Sequence, residues 1–162
     1  MLLVGIEFNF ACDPIAASRV LEEFQTNIRV VTFELTCAAT IPFELIESKM
    51  LSLKSDPNNR KARFFADVSQ FLIDFTKQYE NDSDSYVGLN SCDSVCMACI
   101  LDPSIIEETR RVYACVEPFG QVASGHMISD WYNHFKRQAN VEIITNVNRE
   151  KFIELFQLCV QQ

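Results

Sequence analysis

Short β-branched runs alternate with longer stretches of helical apolar spacing along the chain, and no other feature restricts its fold so strongly. Ile28 to Leu35 (IRVVTFEL), Thr109 to Glu117 (TRRVYACVE) and Val141 to Thr145 (VEIIT) read as strands. The apolar opening, Leu2 to Phe10, reads as a further short strand running into a loop. Asp13-Pro14 opens a helix to about Gln25, because Asp is a good N-cap and the N–H that proline lacks would be unpaired there anyway. Helical spacing returns from Pro42 to about Leu53, and Asp56-Pro57-Asn58-Asn59 is a turn cluster. Phe64, Val68, Phe71, Leu72 and Phe75 then fall at i, i+4, i+7, i+8 and i+11, the stripe of an amphipathic helix from about Asn59 to Tyr79. Glu80 to Ser91 reads as a mobile polar loop. Asp93 to Leu101 (DSVCMACIL) is a buried-looking helix stopped by Asp102-Pro103, and a last helix, Asn148 to Val160, buries Phe152, Leu155, Phe156 and Cys159. Strands separated by helices make the fold α/β.

Glycine is scarce, and that removes several functions. Gly5, Gly88, Gly120 and Gly125 form neither G-x-G-x-x-G nor a P-loop, so phosphate binding on a glycine-rich backbone cradle is excluded. The 162 residues suit one domain. With 14 basic against 22 acidic side chains the net charge is -8, which argues against nucleic-acid and membrane-surface partners. The apolar start meets Glu7 early and has no basic n-region, so it does not read as a signal peptide. Seven irregularly spaced cysteines without a secretory signal point to reduced thiols in the cytoplasm.

The acid is unevenly placed. Between Lys77 and Arg110 there is no basic residue, yet Glu80, Asp82, Asp84, Asp93, Asp102, Glu107 and Glu108 all lie there. Such a run is either a solvated acidic loop or a cation site, since crowded carboxylates are relieved by a hard divalent ion. It lacks EF-hand spacing, and composition leaves both open.

Three constellations carry possible chemistry. Cys92, Cys96 and Cys99 lie at i, i+4 and i+7, either thiols packing a core helix or, less in keeping with the apolar neighbours Val95, Met97, Ala98 and Ile100, zinc ligands. Cys92 sits at a helix start, which lowers a thiol pKa, but beside Asp93, which opposes that. His126 and His134 read as surface or partly packed histidines. Glu7 and Asn9 flank Phe8 at alternating positions near a strand end, where α/β folds bind ligands, and two polar groups on one side suit neighbouring hydroxyls.

Glu7-Phe8-Asn9 followed by Asp13-Pro14-x-Ala16-Ala17 resembles the E-F-N…D-P-x-A-A segment of the inosine-uridine preferring nucleoside hydrolases. Ser91-Cys92-Asp93 with Ala98-x-x-Leu101-Asp102-Pro103 resembles that family's H-D-P…A-x-x-x-D-P segment, and Gly125-x-Met127-x-x-Asp130-Trp131 its G-M-x-x-x-D-W strand. Asn140-Val141 and Phe152 fit its closing strand and helix. The resemblance implies the C-terminal part of an open sheet with flanking helices, and a ribohydrolase that splits inosine- or uridine-class nucleosides, as in base salvage. It further implies calcium with Asp93 as one ligand, Glu7 and Asn9 on the ribose, and Cys92 where the best-known members protonate the leaving base through a histidine; a cysteine there is similar to the family's third group.

The family's D-x-D-x-x-x-D-D signature, which supplies the general base and the other calcium carboxylates, has no counterpart here. A ribose-binding asparagine expected six residues before Glu7 would fall on Met1. The expectation is therefore that residues 1–162 form the C-terminal half of a nucleoside hydrolase domain, partnered by a nucleoside and by either further copies of the chain or an N-terminal half. The alternative is a catalytically inactive relative acting as an interaction or regulatory protein.

Overall fold

The computed structural model describes residues 7–24, 26–51, 56, 58–80 and 88–160. The described residues within 1–32 and 108–145 form one compact unit, and those within 33–107 and 146–162 form the other.

In the first unit, helix α1 (Phe8–Cys12) and helix α2 (Pro14–Glu23) precede strand β1 (Ile28–Val31). The expected opening strand is thus corrected from Phe8 onward to helix, and residues 2–6 lie outside the described residues. The local reason is a cap: the Glu7 carboxylate accepts from the Phe10 amide at 3.0 Å. Asp13 caps α2 in turn, accepting from Ala16 N at 2.9 Å with Pro14 at the first helical position, as the sequence predicts.

Strands β2 (Ile106–Glu117), β3 (His126–Asp130) and β4 (Val141–Val147) complete a mixed sheet of order β1-β4-β2-β3. β1 runs parallel to β4, with Arg29 opposite Glu142, and β3 returns antiparallel to β2, with Glu117 opposite His126. Period-2 burial appears in β2 only from Val112, where Val112, Ala114 and Val116 face the core with Leu21, Val141 and Ile143. The Asn140 side chain ties this core together: its amide donates to Leu21 O and Ala114 O, and its oxygen accepts from Ala114 N.

The second unit is mainly helical. β1 stops at Val31, and Phe33–Ala38 forms helix α3, a correction to the strand expected through Leu35. The helical turn buries Leu35 and Thr36 side by side, which an extended strand would place on opposite faces. Helix α4 (Phe43–Leu45) runs into a π-helical turn, Ile46–Leu51. Helices α5 (Arg60–Glu80), α6 (Cys92–Leu101) and α7 (Arg149–Val160) complete the unit. The loop expected from Glu80 to Ser91 largely lies outside the described residues, but Leu89 pairs with Ile41 through two backbone hydrogen bonds of 2.8 and 2.9 Å. Gly88 makes that pairing possible: its φ is +118°, and a Cβ there would stand 2.4 Å from Ile41 O.

α5 and α6 turn unexpected faces to solvent. On α5 the small residues Ala62, Ala66 and Ser69, with Ile73, are buried, while Phe64, Val68, Phe71, Leu72 and Phe75 are exposed. Small side chains let the helix lie close to its neighbours, and half-buried Phe65 packs edge-on to Phe156 of α7 at 5.6 Å. α6 buries Val95, Ala98 and Cys99 but exposes Cys96, Met97, Ile100 and Leu101, so it is only half buried despite its apolar sequence. On α7, Phe152 is buried as expected and Cys159 is exposed. Among the described residues no helix is long and apolar enough to cross a membrane.

Candidate functional site

Glu7 and Asn9 come together at the start of α1. Asn9 Nδ2 donates to Glu7 Oε1 at 3.1 Å while Glu7 Oε2 holds the Phe10 amide, and both side chains are exposed. The helical turn, not strand alternation, brings them together. One carboxylate and one carboxamide then present an acceptor-only group beside a group with both donors and an acceptor, a pair suited to adjacent hydroxyls.

The seat of α1 depends on Gly125. Its φ is +90°, and a Cβ there would come within 2.9 Å of Ala11 Cα and 3.0 Å of Ala11 N. Gly125 N also donates to Glu117 O at 2.8 Å, which fixes it to the end of β2. Next along, buried Asp130 accepts from the amides of His134 and Phe135, both at 2.7 Å, and so ties down the turn after β3. Trp131 lies under the Arg110 guanidinium at 5.2 Å. His126 and His134 are exposed, in keeping with the surface reading.

Cys92 and Asp93 occupy the first turn of α6, both exposed. Ser91 stands at the N-cap without a side-chain cap bond, so the positive end of the helix favours the Asp93 carboxylate. The Cys92 thiol is held from two sides: Thr36 Oγ1 donates to its sulfur at 3.4 Å, and the thiol donates to Asn90 Oδ1 at 3.4 Å. Asn90 Nδ2 in turn donates to Cys37 Sγ at 3.3 Å. Thr36, Cys37 and Asn90 were not visible as neighbours of Cys92 in the sequence, because the first two are more than 50 residues away and no local pattern announces the contact. Glu7 and Asn9 belong to the first unit, Cys92 and Asp93 to the second.

The acidic stretch divides into separate tasks. Asp102 caps the 3₁₀ turn Pro103–Ile105, and its hydrogen bonds to Ser104 hold its carboxyl below the usual range. Glu107 accepts from Asn146 Nδ2 at 2.8 Å and Asn148 Nδ2 at 3.1 Å. Asp82 and Asp84 lie outside the described residues. Among the described residues no three His, Cys, Asp or Glu side chains gather to hold a metal ion. Cys92, Cys96 and Cys99 do not converge, since Cys99 points into the core while the other two are exposed. Asp93 is a hard oxygen donor suited to calcium, but an ion that takes six to eight oxygens is not held by one carboxylate.

The family model described as inosine-uridine preferring nucleoside hydrolase matches residues 5–154. A probable ribonucleoside hydrolase of Dictyostelium discoideum is 26% identical over 153 residues, covering 92% of this chain and 42% of that protein. The pyrimidine-specific ribonucleoside hydrolase RihA of Shigella flexneri is 26% identical over 150 residues, covering 92% and 45%. An inosine-guanosine nucleoside hydrolase structure superposes with a TM-score of 0.79 at 24% identity, covering 96% of this chain and 46% of that one. A purine-preferring ribonucleoside hydrolase from Gardnerella vaginalis gives 0.76 at 20% identity, again covering 96% and 46%. The chain thus spans less than half the length of these relatives.

Proposed function

The chain belongs to the inosine-uridine preferring nucleoside hydrolase family, and from that premise we propose that it takes part in hydrolysis of the N-glycosyl bond of ribonucleosides, providing the C-terminal part of the site. The observation that carries this reading is the exposed Glu7–Asn9 pair, held ready at the capped start of α1. In the reaction a water oxygen bonds to C1′ while the C1′–N bond breaks, its electron pair leaves with the base, and the base gains a proton. Positive charge grows on the ribose ring as the bond stretches. Glu7 binds a ribose hydroxyl and lowers the energy of that charge, and Asn9 holds the neighbouring hydroxyl.

This reading assigns Cys92 to the leaving base, and its thiol donates to Asn90 Oδ1. Its role in this reading is to position the base, with proton transfer requiring that the bond to Asn90 be given up. Calcium is the ion this reading assigns to Asp93. The described residues do not complete its ligand set, so no step is derived through it. The general base and remaining ligands come from a segment carrying the family's aspartate motif, in keeping with the share of the relatives that the chain covers.

The test is release of ribose from inosine and uridine in calcium, by the chain alone and after adding a D-x-D-x-x-x-D-D segment from a family member. Release in either arm, abolished by Asp93→Ala, supports the reading. No release in both arms overturns it.

A further inference from the structure

Two thiols of the second unit meet on one side chain. Asn90 accepts from the Cys92 thiol on Oδ1 at 3.4 Å and donates from Nδ2 to Cys37 Sγ at 3.3 Å. The oxygen and nitrogen of a carboxamide are about 2.3 Å apart, so the two sulfurs are separated by no more than about 9 Å, bridged by the Asn90 amide. A second contact joins the same elements. Thr36, the residue before Cys37 on α3, has its Oγ1 3.4 Å from Cys92 Sγ in the first turn of α6. Adjacent residues have Cα atoms about 3.8 Å apart, so a sulfur in contact with Thr36 is within reach of Cys37. α3 packs against α6, and the approach is therefore set by the fold.

We propose that Cys37 and Cys92 are a peroxide-sensitive pair that closes to a disulfide when the Asn90 side chain swings out. Exposure orders the steps. Cys92 is exposed and Cys37 is half-buried, so peroxide meets Cys92 first. The Cys92 sulfur attacks one peroxide oxygen, the O–O bond breaks, the thiol proton leaves with the departing oxygen as water, and Cys92 becomes a sulfenic acid. The Cys37 sulfur then attacks the Cys92 sulfur, and the S–O bond breaks. The departing hydroxyl takes the Cys37 proton and leaves as a second water. Two thiols have lost two hydrogens and two electrons, and one peroxide has become two waters.

Rotation at the two cysteines closes the gap. Turning a cysteine from one staggered rotamer to the next carries its sulfur about 3 Å, so turns at both residues bring the sulfurs to bonding distance once the carboxamide has left. The other thiols compete poorly. Cys99 is buried, and Cys12 and Cys115 belong to the first unit. Cys159 is exposed on α7, where its thiol donates to Leu155 O of its own helix. Cys96 is exposed one turn beyond Cys92 on α6, but Cβ atoms at i and i+4 of a helix stand about 5–6 Å apart, wider than the roughly 3.5–4.5 Å of a disulfide. The bond would withdraw Cys92 from the leaving base, a consequence that rests on the proposed function; the bond itself does not.

The pair is tested on the whole chain, reduced, freed of reductant, exposed to hydrogen peroxide at about 0.1 mM and then alkylated with iodoacetamide. Trypsin should yield residues 30–49, whose one cysteine is Cys37, joined to residues 78–110. The second peptide also holds Cys96 and Cys99, so fragmentation assigns the bond to Cys92. Dithiothreitol should separate the two. Cys37→Ser keeps an acceptor for Asn90 and with it the fold; it should abolish the cross-link and strand Cys92 as the sulfenic acid, raising dimedone labelling at least about five-fold over wild type. Cys96→Ser should leave the cross-link unchanged. The proposal is overturned if the two peptides are never joined, if the bond runs from Cys37 to Cys96 or Cys99, or if Cys37→Ser labels no more than wild type. The readout is a mass, so this outcome is separate from that of nucleoside hydrolysis.

Discussion

Glu7 does two things with one carboxylate: it caps α1 through Oε2 and orients Asn9 through Oε1. Glu7→Gln keeps an oxygen for the cap but loses the charge, so it separates stabilisation of the reacting sugar from folding. Wherever ribose release is measured, that substitution should lower kcat about 100-fold with little change in thermal stability, while Asn9→Ala should act mainly on KM. Equal kcat for Glu7→Gln and wild type would remove Glu7 from the chemistry. The cap at Asp13 was legible because it acts within three residues of itself, and Asp102-Pro103 was legible as the stop of α6 though not as the cap of the turn that follows. The holding of Cys92 by Thr36 was not, because it is a contact across 56 residues.

A second prediction at this scale concerns acid. Arg29 Nε stands 2.7 Å from Glu142 Oε2 across the β1–β4 pair, and its hydrogen bond, outweighing some desolvation, lowers the Glu142 pKa. A carboxyl whose folded pKa is depressed stabilises the fold above its unfolded value and loses that contribution as the pH falls through the folded value. Thermal unfolding followed from about pH 6 down to pH 3 should therefore show wild type losing more stability than Glu142→Gln below about pH 4. The difference should be no more than about 1 kcal/mol, since the pair is partly solvated. Parallel pH profiles would show that the bridge contributes nothing.

At the scale of elements, the sequence marked α5 as a helix but misled about its face. Two stripes of the same spacing run along it, and bulk hydrophobicity favours the aromatic one for the core. Packing chose the other, because Ala62, Ala66 and Ser69 admit a close neighbour where phenylalanines would hold it off. α1 was misread for a related reason: its five residues are too few to show a helical period, and only the cap at Glu7 identifies it. The seat of α1 yields a prediction. Gly125→Ala places a methyl group within 3.0 Å of the Ala11 backbone at a positive φ, so α1 must shift or the turn must rebuild. The expected cost is about 1–3 kcal/mol, with increased amide exchange at Phe10 to Cys12. Exchange there equal to wild type would show that α1 does not depend on this approach.

For the whole molecule, the order of motifs was enough to place the chain in its family, because each motif is read within a few neighbouring residues. Among the described residues no complete set of calcium ligands is gathered, and that has a measurable consequence. A ligand that binds only the folded state stabilises it by RT ln(1 + [L]/Kd), about 2.7 kcal/mol at a hundred times Kd, or roughly 5–10 °C in Tm for a chain of this size. If Asp93 is one arm of a site completed by another segment, millimolar calcium should move the Tm of the chain alone by less than about 1 °C. It should raise the Tm by several degrees once the aspartate-motif segment is bound, and Asp93→Asn should abolish that rise. A large shift for the chain alone would mean that its own carboxylates already complete a site, and the division of the active site proposed above would then be wrong.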